Sequence, residues 1–223
     1  YMQPHLPTWF DGKLVLDVGA GSGRHSAQAA ELGARVIAVD LGRSIDVARR
    51  NLPLQVLTVQ ADAQRLPFAP ASFDVVMAIG VLHHLEETEN AVRALVPYIA
   101  PGGHLHVYLY WVPEIRWHRA ALEIVTLARR ATVRLPYDVL RWLCYPVSAA
   151  LWVGIVLPYR SLRSRPLAKR IADALPLKAY ADYPFTVLVN DQFDRFSAPL
   201  ERRFTRAQVE VMLERAGLEH VVT

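Results

Sequence analysis

The chain has 223 residues, of which 52% are hydrophobic and 21% are charged, which is enough to bury one sizeable core. Its single cysteine, Cys144, excludes an internal disulfide and a cysteine-based metal cluster, and it favours a reducing, cytoplasmic location. The formal net charge is +4, and the basic excess lies in residues 113–190, which hold 12 basic and 5 acidic side chains.

Strands and helices are predicted to alternate along the first half of the chain. Aliphatic and β-branched runs predict strands at residues 14–18, 35–40, 54–60, 73–80 and 104–111. Because these runs lack strict alternation of apolar and polar residues, we expect both faces of each strand to be covered. Helix patterns lie between them at residues 24–33, 44–51 and 87–103, the last ending at Pro101, Gly102 and Gly103. This order predicts an α/β fold with a doubly wound, mostly parallel, Rossmann-like sheet.

A glycine-rich segment follows the first predicted strand. In LVLDVGAGSGRHS, residues 14–26, Gly19, Gly21 and Gly23 occupy alternate positions. In a doubly wound sheet the first turn from strand to helix is where the backbone approaches a ligand, and glycine removes the Cβ atoms that would intervene. A turn needed only for packing would explain one glycine. Three glycines at this spacing favour a cofactor loop.

The spacing of the glycines distinguishes two cofactor classes. A dinucleotide loop reads G-x-G-x-x-G and requires a glycine where this chain has Arg24. Residues 17–23 read D-x-G-x-G-x-G instead, which resembles the first motif of class I S-adenosylmethionine-dependent methyltransferases (methyltransferase type 11/12-like domain). The resemblance implies S-adenosylmethionine as cofactor and S-adenosylhomocysteine as product. It also implies cofactor contacts from Asp17, Gly19, Ala20, Gly21 and Gly23.

Later motifs agree with this resemblance. Asp40, followed by Leu41, ends the second predicted strand, where a carboxylate can accept both ribose hydroxyls; a surface acid that opens a helix is the alternative. In the family, the residues after the third strand hold the adenine edge. Here these would be Asp62 and Ala63, although Asp62 alone is equally typical of a helix cap. Gly80 matches the small residue beside which the methionine part of the cofactor lies.

Two histidines follow the fourth predicted strand. His83 and His84 lie at the mouth where acceptor and cofactor would meet, and either could act as a catalytic general base. Packing at the start of a helix, or support of other groups, is the alternative. The histidine spacings indicate no metal site.

Residues 113–190 are predicted to be an insertion into a core formed by residues 1–112 and 191–223. A mostly apolar stripe predicts an amphipathic helix whose apolar side is covered; its positions are 117, 121, 124, 128, 131 and 135. Residues 142–158 carry no charge and are flanked by Arg141 and Arg160. We expect a helical lid over the cofactor, with insertion into a membrane or contact with a membrane surface as alternatives.

The insertion and its borders supply candidate acceptor-binding residues. Insertions at this point build the acceptor pocket in the family that the chain resembles. The aromatic candidates are Tyr110, Trp111, Trp117, Tyr137, Trp142 and Trp152, with a place in the core as the alternative for each. The polar group Asp191, Asp194 and Arg195 could orient an acceptor or form a salt bridge at a hinge.

The last segment is predicted to add one helix and one strand to the core. Thr205 and Gln208 have the spacing of a capping box, and the helix pattern ends at Gly217 before a short strand.

Together these features predict an S-adenosylmethionine-dependent methyltransferase that acts on an oxygen or nitrogen of a small, partly apolar molecule. A catalytically silent cofactor-binding interaction module is the first alternative, and a nicotinamide-dependent oxidoreductase is the second. Nucleic acid is a less favoured partner because basic runs with interleaved aromatics are not evident.

Overall fold

A computed structural model of the chain describes residues 7–114, 116–165, 175 and 177–222. The chain forms two compact units. The first ends at Val112 and resumes at Leu200, and the second is Pro113–Pro199. The second unit therefore extends nine residues beyond the predicted insertion, because a helix at its end packs within it.

The first unit is built on a five-stranded sheet. Its strands are β1 (Leu14–Val18), β2 (Arg35–Asp40), β3 (Leu57–Gln60), β4 (Phe73–Ile79) and β5 (Ile99–Tyr108). They are hydrogen-bonded in the order β3-β2-β1-β4-β5, and every neighbouring pair is parallel. The predicted doubly wound, parallel fold class is confirmed. The central strands β1 and β4 are buried almost throughout, as their continuous apolar runs indicate.

Helices cover both faces of this sheet. The helices of the first unit are α1 (Arg24–Glu31), α2 (Ser44–Asn51), α3 (Thr88–Leu95) and α8 (Arg206–Arg215). Val15 of β1 belongs to a cluster that includes Ala29 of α1 and Ala48 of α2. Its neighbour Leu16 points to the other face, in a cluster with residues of α3 and α8. The carboxyl ends of all five strands therefore meet at one open edge.

The third predicted helix ends earlier than its sequence pattern indicates. It ends at Leu95, a short 3₁₀ turn follows at Val96–Tyr98, and β5 already begins at Ile99. Pro101 to Gly103 lie in a bulge of β5, because Phe73 pairs with Ile99 whereas Val75 pairs with His104. A Cβ on Gly103 would lie 2.9 Å from the Asp74 carbonyl oxygen. Glycine is thus needed there by the sheet, not by a helix end.

The second unit is helical in its described part. It contains α4 (Arg116–Thr132), α5 (Tyr137–Leu151), a π-helical turn (Trp152–Val156), α6 (Leu157–Leu162) and α7 (Phe185–Ser197). Two small apolar clusters hold it together. The first contains Leu140, Cys144 and Val189, and the second contains Val156, Ala181 and Leu188.

The predicted apolar stripe of α4 is exposed, so the expectation that it is covered is wrong. Trp117 is 52% exposed and Ile124 is 70% exposed. The buried residue of this helix is Arg129, whose Nε donates to the Arg195 carbonyl of α7 at 2.8 Å. The aliphatic stem of an arginine can fill an apolar contact when its guanidinium head is hydrogen-bonded. The buried side of α4 is therefore the side that carries Arg129, and not the apolar stripe.

The last helix begins at the predicted capping box. The Gln208 amide donates to the Thr205 hydroxyl, and the Gln208 side chain accepts from the Thr205 backbone. The predicted strand after Gly217 does not form within residues 218–222.

One helical segment of the second unit meets the length and composition of a membrane span. It runs over Tyr137–Leu162, and only 22% of its most apolar 18-residue window is buried.

Candidate functional site

The end of β1 places a buried carboxyl group beneath the glycine loop. Asp17 is 1% exposed, and its Oδ2 accepts a 2.6 Å hydrogen bond from the Ser26 hydroxyl of α1. Burial raises the pKa of Asp17 to about 6; the Ser26 hydrogen bond opposes this rise, and the nearby charge of Asp40 adds to it. A cation bound beside Asp17 would restore the ionised form and gain a strong electrostatic partner.

The end of β2 presents a second carboxyl group beside the same loop. Asp40 Oδ2 accepts from the Gly21 amide at 2.9 Å, and Oδ1 accepts from the Gly42 amide at 2.8 Å and the Ser44 hydroxyl at 2.7 Å. Two carboxylate oxygens offer about four acceptor directions, so acceptor capacity remains for a further donor. The surrounding donors also fix the orientation of the carboxylate before any ligand arrives.

The three loop glycines serve two different purposes. A Cβ on Gly19 would lie 2.1 Å from Val81, and one on Gly23 would lie 2.8 Å from Leu52, so both positions are closed by packing. Gly21 has a φ of +57°, and no atom lies within 4 Å of the position of its absent Cβ. Gly80, after β4, has a φ of +79° and equally open space. The open approach to the backbone is therefore at Gly21 and Gly80.

The residues after β2 and β3 complete this edge. Leu41 is 66% exposed, and its carbonyl accepts from the Gln60 side chain at 2.9 Å. Asp62 is exposed, and its Oδ1 accepts from the Gln64 amide of its own turn, while Ala63 packs on the core. An exposed aliphatic side chain beside a fixed carboxylate provides the apolar contact that a planar ring system requires.

Comparison with known proteins connects this geometry to a family. The family described as "Methyltransferase domain" matches residues 16–107, which hold most of β1, all of β2 to β4, all but the last residue of β5 and the glycine loop. Residues 16–107 therefore form a methyltransferase domain of the class I S-adenosylmethionine-dependent type.

Curated relatives match about half of the chain. The Ubiquinone biosynthesis O-methyltransferase of Idiomarina loihiensis is 38% identical over 113 residues, covering 47% of this chain and 45% of that protein. The Biotin biosynthesis bifunctional protein BioHC of Cellvibrio japonicus is 34% identical over 104 residues, covering 46% of this chain and 21% of that protein. The chain thus spans less than half of the length of either relative.

A solved structure shares the fold over most of the chain. The crystal structure of a candidate methyltransferase from Bacillus halodurans C-125 has a TM-score of 0.54 and 20% identity, covering 92% of this chain and 62% of that one. At this identity the likeness shows the fold.

The residues of the methyltransferase core fit the family's cofactor, S-adenosylmethionine. The open space at Gly21 and Gly80 leaves room for a ligand against bare backbone. Asp40 has acceptor capacity for ribose hydroxyls, and the buried Asp17 carboxyl group favours a cationic neighbour such as an ammonium group. Arg24 occupies the position where a dinucleotide loop needs glycine.

The two histidines after β4 lie in different surroundings. His83 is fully buried, and its ring stacks on Tyr110 with centroids 3.9 Å apart and planes at 27°. His84 is partly exposed, and its Nδ1 lies 2.7 Å from the Leu200 carbonyl oxygen. Because a carbonyl oxygen only accepts, Nδ1 carries the proton and Nε2 of the neutral ring keeps its lone pair. A bound molecule could therefore reach His84 more readily than His83.

Sequence reasoning missed a strap formed by residues 200–204, which ties these histidines to the end of β5. Arg203 forms a 2.6 Å salt bridge with Glu201, donates to the Trp111 carbonyl and lies 5.1 Å from the centre of the Tyr110 ring. Trp111 forms an isolated parallel bridge with Phe204 and is 60% exposed. In the sequence, only the charged residues of ERRF, residues 201–204, indicated this strap. The residues that Arg203 contacts at the end of β5 lie about ninety positions earlier in the chain.

The other predicted acceptor-binding residues lie in the second unit. Asp191, Asp194 and Arg195 are all on α7, where Asp191 accepts a 2.7 Å hydrogen bond from the Tyr180 hydroxyl. Trp117, Tyr137 and Trp142 are exposed, whereas Trp152 packs on Phe185 with ring centres 5.6 Å apart. Their role in binding an acceptor and the lid role of residues 113–190 stay predictions.

Within the described residues, no group of three or more His, Cys, Asp or Glu side chains is placed to hold a metal ion.

Proposed function

We propose that the chain transfers the methyl group of S-adenosylmethionine to an oxygen or nitrogen atom of a small, partly apolar acceptor. The observation that carries this proposal is the open backbone at Gly21 and Gly80 beside the fixed Asp40 carboxylate. These features share the carboxyl edge of the sheet, where ligands bind in doubly wound folds.

In the proposed reaction the protein mainly provides position. S-adenosylmethionine supplies a methyl group on a positively charged sulfur, which makes that methyl an electrophile. Asp40 would accept hydrogen bonds from the ribose hydroxyls, and Asp17 would face the ammonium group. Holding donor and acceptor in line contributes about 7–11 kcal/mol toward the barrier through orientation alone.

His84 is the candidate general base for an acceptor that carries a proton. The Leu200 carbonyl holds its Nδ1 proton, which leaves Nε2 to receive a proton from a hydroxyl or amine. His83, buried against Tyr110, would act as a positioning residue that fixes the backbone from which His84 projects.

The type of acceptor is supported by the curated relatives. The relative from Idiomarina loihiensis is an O-methyltransferase of ubiquinone biosynthesis by name. An acceptor with an ionisable hydroxyl on an apolar molecule suits both that name and the single candidate base. Mouse "Probable tRNA methyltransferase 9B", 34% identical over 109 residues, makes tRNA the second acceptor to test.

The proposal is tested by following S-adenosylhomocysteine formation with panels of phenols, amines, carboxylic acids and tRNA. We expect turnover with a phenol or amine, and no turnover with tRNA. Parallel titration with S-adenosylmethionine and NAD separates the alternatives. Binding of S-adenosylmethionine without turnover of any acceptor would favour a silent binding module, and binding of NAD would favour an oxidoreductase.

A further inference from the structure

The second unit exposes an unusually apolar helical surface. We define the apolar face as six exposed large side chains of α5, the π-helical turn and α6: Trp142, Leu143, Tyr145, Val147, Val153 and Leu157. Trp142 is 76% exposed and Val153 is 64% exposed. Contiguous exposed apolar residues of this kind mark an interaction surface in a soluble protein.

The helix that carries the apolar face is attached to its unit by one narrow side. Leu140, Cys144, Ser148 and Val156 are buried, and the apolar clusters place this side against α7. The core helix of a soluble protein is mostly buried, whereas 78% of the most apolar window of this segment is not. The apolar face therefore lacks a covering partner within the described residues of its own unit.

The charge of the segment that contains the apolar face selects the partner. Residues 113–165 hold nine basic and three acidic side chains. Arg130, Arg134, Arg141 and Arg165 are exposed, and none of them forms a salt bridge within the described residues. A second copy of this chain would bring the same positive charges together, whereas an anionic surface would neutralise them.

We propose that the apolar face docks on a membrane containing anionic lipids, with the helix lying parallel to the membrane plane. Apolar side chains would enter the boundary between headgroups and acyl chains, and the arginines would contact the anionic headgroups. Trp142 and Tyr145, whose rings lie 5.9 Å apart, are of the residue types that concentrate at this boundary.

The packing against α7 favours the parallel orientation over spanning. If the helix crossed the bilayer, α7 would enter the hydrocarbon with it, including Asp191, Asp194 and Arg195. Charged side chains at that depth are costly. Lying in the interface leaves α7 on the aqueous side and uses only the apolar face.

Sedimentation of the full chain with lipid vesicles tests the proposal without cofactor or acceptor, so it does not depend on the proposed methyl transfer. Vesicles of phosphatidylcholine are compared with vesicles in which about a third of the lipid is phosphatidylserine. We expect binding to the anionic vesicles, weaker binding to the neutral ones and a decrease as salt is raised.

Two pairs of variants locate the binding surface. The double change Trp142→Glu and Val153→Glu should weaken vesicle binding by at least about tenfold. Leu54→Glu, at a fully exposed leucine of the first unit, should leave it unchanged. Arg134→Glu with Arg141→Glu should weaken binding by at least about fivefold for each arginine, whereas Arg50→Glu, at an exposed position of α2, should not. Thermal unfolding of each variant confirms that the fold is kept.

Four outcomes would overturn the proposal. The chain could remain in the supernatant with anionic vesicles at low salt, or the Trp142 and Val153 variant could sediment as Leu54→Glu does. The chain could form a dimer that this double variant dissociates, without binding vesicles, which would assign the face to a second copy. Retention in the vesicles after an alkaline carbonate wash would indicate a spanning helix.

Discussion

The two units use similar apolar sequence in opposite ways. In the first unit, continuous apolar runs form β1 and β4, whose side chains are buried on both faces of the sheet. In the second unit, the uncharged run at residues 142–158 forms a helix that buries one narrow side and leaves Trp142 and Val153 in solvent. Hydrophobicity alone therefore does not distinguish a core from a docking surface.

The two units also differ in the polar groups that they present. The first unit holds the cofactor edge, with its carboxyl groups fixed by Ser26, Gly21 and Ser44. The second unit holds small clusters and an excess of exposed arginines. We expect changes in the first unit to affect cofactor binding and folding, and changes on the apolar face to affect neither.

The largest effect is expected at Asp40. Asp40→Ala removes the acceptor for ribose hydroxyls and for the Gly21 amide, so S-adenosylhomocysteine should bind at least about a hundredfold more weakly. Asp46→Ala, at an exposed position of α2, is the matched control and should bind as the unchanged chain does. Calorimetric titration measures the affinity of both variants for S-adenosylhomocysteine. Equal affinities would mean that Asp40 does not bind the cofactor.

A comparison of two aromatic residues tests the packing difference directly. Phe73→Ala, at a side chain 1% exposed, should lower the free energy of unfolding by about 3–5 kcal/mol. Trp142→Ala should change it by less than about 0.5 kcal/mol, since this side chain has little packing to lose. Urea unfolding checks both, and a large loss at Trp142 would mean that the apolar face is covered in solution.

Asp17 makes the stability of the first unit depend on pH. Its pKa rises from 3.8 to about 6 on folding, so the folded state binds more protons than the unfolded state between these values. The contribution of Asp17 to stability is therefore greatest below pH 3.8 and falls as the pH rises from 3.8 to about 6, by about 3 kcal/mol in total. Asp17→Asn keeps an acceptor for Ser26. This variant should recover most of the lost stability at pH 8 and none at pH 4. It should also weaken cofactor binding.

Denaturant unfolding of Asp17→Asn and the unchanged chain at pH 4, 6 and 8 measures this difference. A stability gain that is the same at every pH would contradict a raised pKa.

Alanine substitutions at the two histidines should have different effects. His84→Ala should lower turnover about a hundredfold with little loss of stability, because it removes a proton acceptor at the surface. His83→Ala should lower the free energy of unfolding by about 2–4 kcal/mol, because it leaves a hole beside Tyr110. Both should keep cofactor affinity. Unchanged turnover in both variants, together with an unchanged pH profile, would remove histidine from the mechanism.

The smallest effect concerns the glycine loop. Gly21→Ala and Gly12→Ala both place a Cβ at positive φ in open space, so both should cost about 1 kcal/mol of stability. Only Gly21 faces the cofactor edge, and only its variant should weaken S-adenosylhomocysteine binding, by about tenfold. Equal binding by the two variants would mean that the cofactor does not lie against this backbone.

The sequence predicts the sheet well because its information is local. Each strand is a continuous apolar run, and the Asp and Gly positions at strand ends follow from the approach of a ligand to bare backbone. The bulge at Pro101 to Gly103 was predicted as a helix end because the same residue types serve both purposes. What decides between them is the pairing with β4, which no local pattern contains.

The site and the second unit were harder to predict because their contacts are distant in sequence. The Leu200 carbonyl reaches His84 from 116 positions away, and Arg195 of α7 accepts from Arg129 across 66 positions. The stripe on α4 followed the amphipathic rule, whereas the structure buries an arginine because its partner carbonyl happens to lie there. Such contacts depend on tertiary packing that single-residue preferences do not encode.

We propose that the edge formed by Gly21, Gly80 and Asp40 holds S-adenosylmethionine. A crystal structure of the chain grown with S-adenosylhomocysteine tests it most directly. We expect ribose hydroxyls within hydrogen-bond distance of the Asp40 carboxylate and the amino-acid portion against the glycine-loop backbone. Ligand bound elsewhere, or an empty edge at concentrations that saturate binding in solution, would contradict it.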